Sequence, residues 1–248
     1  MKRIILSTII FCCAFGIALA QQKTEQLKIS ILGDSYSTYE GYLANDTNAV
    51  WYFKADNPKR NKHNDVTSVE QTWWYQVISA MNAKLELNNS FSGATICYCG
   101  YKKGPEPRVK LEGLEAYADY SNRSFATRSN KLGNPDVILI CGATNDSWAD
   151  APIGEYIYGS QTNEDMHYFR PAMGKLLADL RANYPTARLL FILNTDLKEV
   201  INESVHTICA HYDVPCLDLK DIEKQHGHPS VKGMKSFAEQ VIKKLSSK

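Results

Sequence analysis

Five short apolar runs limit what this chain can fold into. They are "LKISIL" (27–32), "KLELNNS" (84–90), "DVILICG" (136–142), "RLLFILN" (188–194) and "VPCLDL" (214–219). Each has the length of a strand, and three are strongly apolar, as parallel strands covered on both faces are. Helical spacing fills the gaps between them. In 68–82, Val69, Trp73, Val77 and Met81 fall on one stripe, and Thr67 with Glu70 gives a capping-box signature. In 173–184, Leu176, Leu177, Leu180 and Tyr184 share a face, and Pro185 ends the run. Helices over 196–212 and 230–245 complete the series. Strands alternating with helices predict an α/β fold: a three-layer α/β/α sandwich around a five-stranded parallel sheet, with right-handed crossovers.

Two stretches exceed a minimal connection. Residues 39–66 and 100–134 are polar and long, and both follow strand ends, where ligands bind in open α/β sheets. Their aromatic residues, among them Tyr39, Trp51, Tyr52, Tyr117 and Tyr120, argue for ordered loops rather than disorder.

The first twenty residues read as a secretory signal peptide. "MKR" is basic, "IILSTIIFCCAFGIA" is apolar, and "ALA" offers small residues before a cut after Ala20. The expected product is an exported protein, periplasmic or secreted, made of a single domain over 21–248. The apolar run is shorter than the ~20 residues of a spanning helix, so no membrane anchor is expected. Without Lys2 and Arg3 the formal charge falls from +1 to −1, a poor match to a nucleic-acid partner.

Cys97, Cys99, Cys141, Cys209 and Cys216 follow the signal segment, an odd number. Cys209 and Cys216 sit where a helix and the next strand could pair them, whereas Cys141, inside a strand, is expected to stay a free thiol. No zinc-finger spacing occurs, and His226-x-His228 lacks further ligands, so no metal site is expected.

The strand ends carry the chemistry. The first runs directly into "GDSYST" (33–38), which puts Ser35 at the carboxyl edge of the sheet. After the second comes "NNSFSGAT" with Gly93, after the third "GATND" with Asn145, and after the fifth "QHGHPS" with His228. A hydroxyl, a glycine N–H, an amide NH₂ and an imidazole on one edge are the parts acyl transfer needs.

These blocks, "GDS" (33–35), Gly93 in "NSFSGAT", "TND" (144–146) and "HPS" (228–230), resemble in order and kind those of the SGNH hydrolases, or GDSL-type esterases and lipases. The resemblance spans nearly the whole chain after the signal segment. It implies a flavodoxin-like sandwich, Ser35 as nucleophile and His228 as base. The implied oxyanion hole is the Ser35 N–H, the Gly93 N–H and the Asn145 side chain. Two positions depart from the family pattern. Ala143 stands where members usually have glycine, and Gln225 stands where the acid of a triad is expected. Gln225 is therefore expected to orient His228 through a neutral carbonyl, giving a dyad; Asp221 and Glu223 are the rival acceptors.

The expected activity is serine-esterase hydrolysis of short acyl groups, acetyl foremost, on a small-molecule or glycan ester, with no cofactor. The resemblance extends to exported carbohydrate O-acetylesterases, and the aromatic loops suit sugar rings. A lipase, lysophospholipase or thioesterase acting on longer chains is the alternative. A glycan-binding module without turnover is the second.

Overall fold

The computed structural model describes residues 25–247, so the expected signal peptide lies outside the described residues. Strands β1 (Lys28–Gly33), β2 (Lys84–Asn88), β3 (Val137–Gly142), β4 (Arg188–Leu193) and β5 (Cys216–Asp218) form one sheet in the order β2-β1-β3-β4-β5. Every pairing in it is parallel. The order reverses at β1, and in open sheets such a switch point opens a crevice at the strands' carboxyl ends.

Side chains alternate across the central strands and divide the core into two layers. Ile29, Ile31, Val137, Leu139 and Ile192 face helices α1 (Trp73–Ala80) and α6 (Val231–Ser246). On that side Trp73 stacks on Phe237, with ring centroids 4.4 Å apart. Leu32, Ile138, Ile140 and Phe191 face α4 (Phe169–Asn183) and α5 (Glu199–His211), where Leu176, Leu180 and Val205 are buried. Each such side chain contributes roughly 1.5–3 kcal/mol by leaving water. The expected three-layer sandwich is the fold observed. Two short helices, α2 (Phe125–Arg128) and α3 (Thr144–Trp148), lie at strand ends, and an antiparallel hairpin of β6 (Lys224–Gln225) and β7 (His228–Pro229) precedes α6.

Boundaries shift for local reasons. The capping box before α1 is Ser68 with Gln71, one residue beyond the Thr67–Glu70 reading. Helix α4 begins at Phe169 rather than near Met173, because Pro171 falls in its first turn, where no intrahelical N–H is needed. Edge strand β5 is shorter than its apolar run. The long loops are ordered: Tyr39, Tyr52, Tyr117 and Tyr120 are buried. Loop 39–66 is fastened to the end of β2 by the Ala44 N–H on the Asn88 carbonyl (2.8 Å). Among the described residues no helix is long and apolar enough to cross a membrane.

Candidate active site

Strand β1 ends at Gly33, where a Cβ would lie 2.6 Å from the Ser37 and Ser90 side chains, so only glycine fits. The chain then enters a 3₁₀ turn, Ser35–Ser37, capped by Asp34, whose Oδ1 accepts the Tyr36 N–H at 3.0 Å. Asp34 is fully buried, and that burial pushes its carboxyl up to about 7, against the pull of the Tyr36 N–H and the Arg128 charge. The buried Arg128 guanidinium donates to the Gly33 carbonyl at 3.2 Å and to that of Asn89, joining the ends of β1 and β2. Ser35 thus stands on a braced turn at the carboxyl edge.

His228 reaches it from the hairpin. Its Nε2 lies 2.9 Å from Ser35 Oγ, and its Nδ1 lies 3.3 Å from the His226 carbonyl oxygen. A carbonyl can only accept, so Nδ1 carries the hydrogen and Nε2 turns its lone pair to the hydroxyl. His226 and Gly227 adopt positive φ, +51° and +77°, which folds that carbonyl back under the ring. Three donors hold the segment: Tyr36 Oη on the Gly227 carbonyl (2.7 Å), Tyr52 Oη on the Pro229 carbonyl (3.0 Å), and Asn64 Nδ2 on the same oxygen (3.1 Å). Trp51 stacks flat on the imidazole at 3.6 Å between centroids, and Trp148 stands edge-on at 6.2 Å. Burial lowers His228 to about 4; the bond to the His226 carbonyl opposes this, and the His226 and Lys224 charges add to it.

Asn145 is the second residue of α3, in its buried first turn. Its Nδ2 donates to the Ala94 carbonyl at 3.0 Å and its Oδ1 accepts from Tyr101 Oη at 2.7 Å. Because Ala94 offers only an acceptor, the amide orientation is fixed, and the second Nδ2 hydrogen is not used by either bond. Gly93 has φ +82°, with open space where a Cβ would project. Asp146 secures the loop that follows: its carboxylate accepts the Ile96 N–H at 2.9 Å and the Cys97 N–H at 3.2 Å. Burial raises the Asp146 carboxyl to about 6, those N–H bonds opposing.

The structure therefore brings Ser35 and His228 into contact, with Asn145 and Gly93 at the carboxyl ends of neighbouring strands. The expectation for Gln225 is corrected. Its Oε1 accepts the Asp65 N–H at 2.9 Å, and its carbonyl faces Asn64 Nδ2, so neither group reaches the His228 ring. The neutral acceptor is the His226 carbonyl instead. Glu223 is engaged by Ser230 (2.6 Å) and Lys232 (3.2 Å), and Asp221 is exposed. All five described cysteines are free thiols, Cys209 and Cys216 included, and Cys141 is buried as expected. Trp51, Tyr36, Tyr101, Asp146 and Arg128 are site-building residues that sequence reasoning did not identify. For Asp146 a signal existed, since it is the last residue of "TND".

The sequence profile described as GDSL-like lipase/acylhydrolase matches residues 27–245. No curated protein matches the chain. A crystal structure described as a GDSL-like lipase from Bacteroides ovatus is 50% identical, with a TM-score of 0.80, over 89% of this chain and 98% of that one. A second, from Bacteroides uniformis, is 48% identical, with a TM-score of 0.81, over 89% and 96%. A family two carbohydrate esterase from Clostridium thermocellum in complex with cellohexaose shares the fold, at 17% identity and a TM-score of 0.52, over 88% of this chain and 63% of that one. With its profile match running through all five sheet strands, the chain belongs to the GDSL-like lipase/acylhydrolase family, the SGNH hydrolases, and is an ester hydrolase.

Proposed function

We propose that the protein removes acetyl or similarly short acyl groups from a carbohydrate through a Ser35–His228 acyl-enzyme. The observation that carries the mechanism is the 2.9 Å contact between Ser35 Oγ and His228 Nε2, with the Nδ1 hydrogen committed to the His226 carbonyl. Ser35 Oγ attacks the acyl carbon as Nε2 takes its proton, and the proton passes on to the departing alcohol. Charge developing on the carbonyl oxygen is met by the spare Asn145 Nδ2 hydrogen with the Ser35 and Gly93 N–H groups. These donors are fixed before substrate arrives, so no reorganisation cost falls in the transition state. Water then repeats the sequence on the acyl-enzyme. Among the described residues no carboxylate bonds to the imidazole; the face of Trp51 supports the imidazolium instead, and a cation over a desolvated aromatic face gains roughly 0.5–2 kcal/mol. Because burial holds His228 near 4, the ring is neutral and able to accept a proton throughout the neutral range.

The carbohydrate reading rests on the rim. Trp148 is 43% exposed beside His228, and Trp51, stacked on the ring, is half-buried. An exposed indole beside a polar centre suits the apolar face of a pyranose. The likeness to the cellohexaose-bound esterase is one of fold, and the substrate reading does not draw on it. Export by the N-terminal segment is part of the same proposal, since it would give access to extracytoplasmic glycans. The test compares p-nitrophenyl acetate, butyrate and octanoate, then acetylated xylo- and cello-oligosaccharides. Turnover falling past about four carbons, with acetate released from a glycan, supports the proposal. Faster octanoate hydrolysis would make the protein a longer-chain lipase or thioesterase.

A further inference from the structure

At the β5 edge of the sheet, separated from the Ser35 turn by β3 and β4, three potential metal ligands converge. Helix α5 supplies His206. Strand β5 supplies Cys216 and Asp218, two residues apart and so on one side of the strand. His206 Nε2, Cys216 Sγ and an Asp218 carboxylate oxygen all lie within 4.8 Å of one another. Nε2 is 3.1 Å from Oδ1, and Sγ is 4.0 Å from it. Cys209, buried on α5, lies outside that cluster. Ligands about 2.0–2.3 Å from one tetrahedral ion stand roughly 3.5 Å apart, which these separations bracket.

We propose that His206, Cys216 and Asp218 form a binding site for a thiophilic divalent cation, zinc in the first place, that clips α5 to edge strand β5. A thiolate with an imidazole selects zinc over magnesium or calcium, which take oxygen ligands. Binding releases the Cys216 thiol proton, and a water completes the tetrahedron around three protein ligands. The His206 and Asp218 side chains are about half exposed (49% and 53%), so an ion can enter from solvent. An exposed His–Asp pair by itself would not call for a thiol against it. A single helical histidine followed by C-x-D lies outside finger patterns, which is why the sequence alone suggested no metal site. The site is also well placed to matter, because β5 has three residues and, among the described residues, pairs only with β4.

The experiment is titration of the purified, chelator-free protein with Co²⁺ and with Zn²⁺ under anaerobic conditions. One equivalent of Co²⁺ is expected to give thiolate-to-cobalt charge transfer and tetrahedral d–d bands, displaced by Zn²⁺. Cys216→Ser should abolish the bands, and His206→Ala, on an exposed helix face, should weaken binding at least tenfold. Zinc at a hundredfold excess over its Kd should raise the Tm by about 5 °C or more, and not in Cys216→Ser. The proposal is overturned if no tetrahedral spectrum forms, or if the spectrum survives in both variants. It is equally overturned if the isolated protein carries a Cys209–Cys216 disulfide, seen as an intact mass two hydrogens short.

Discussion

Trp51 lies flat on the imidazole of His228, with ring planes 9° from parallel and centroids 3.6 Å apart. The contact joins the long loop after β1 to the hairpin before α6. It excludes water from the ring that faces Ser35 and offers the imidazolium an aromatic face where related sites are expected to carry an acid. The depressed His228 pKa follows chiefly from that burial.

The acid limb of kcat/KM should accordingly report a group near pH 4 rather than 6.5. Trp51→Ala should admit water, which solvates the cation better than indole does, and so move the limb up toward 6.5. Its kcat should fall about tenfold through the lost aromatic face, and Trp51→Phe should recover much of that. A limb that stays near pH 4 in Trp51→Ala would show that Trp51 does not control the base.

Asn145→Ala should lower kcat by roughly 10²–10³ with little change in KM, as for a donor used chiefly in the transition state. Steady-state kinetics with p-nitrophenyl acetate measure both constants. A raised KM with kcat intact would move Asn145 from charge stabilisation to substrate binding.

Among the described residues no carboxylate stands at His228 Nδ1, so Asp221→Asn, Glu223→Gln and Gln225→Ala should each keep kcat within about tenfold of wild type. Glu223→Gln has a further, structural consequence, because it weakens the Ser230 and Lys232 contacts before α6. A loss of ~10³ or more in either acid variant would identify that residue as a third member and refute the dyad.

Asp34 supplies a stability test. Its native carboxyl titrates near 7 and its unfolded one near 3.8, so the native state retains a proton that the unfolded chain has lost. That contribution is complete below about pH 4 and disappears as pH rises through 7, amounting to at most about 4 kcal/mol. His228 acts oppositely: with its native pKa depressed, stability falls as pH drops from 6.5 through 4. Urea unfolding of wild type and Asp34→Asn across this range isolates the carboxyl by difference. The variant should gain relative to wild type with rising pH, and a flat difference would contradict the assignment.

The sequence exposes the site where chemistry is tied to a strand end. Ser35, Gly93 and Asn145 each follow an apolar run by three residues and His228 follows the last run by nine, so locating the sheet locates the first three and brings the fourth close. Ala143 was legible as a departure, and the structure gives its meaning: it sits at φ +71°, a left-handed position that favours glycine. What escaped were contacts set by tertiary packing. Trp51 reads as one aromatic among several in a long loop, and nothing local says that it covers His228. The family spacing points to Gln225, through its amide or its backbone carbonyl, as the Nδ1 acceptor. The acceptor is the next carbonyl along, that of His226, aimed by positive φ at His226 and Gly227, and no letter encodes that aim. Gln225 has the right chemistry, but the β6–β7 register sends its amide to Asp65.

The central claim is that Ser35 is the hydroxyl His228 activates, and covalent capture tests it most directly. Intact-mass and peptide analysis after treatment with a fluorophosphonate should show one adduct per chain, located on Ser35. The adduct should be lost in Ser35→Ala and formed much more slowly in His228→Ala, in parallel with hydrolysis of p-nitrophenyl acetate. An adduct on another residue, or undiminished hydrolysis by Ser35→Ala, would contradict the account.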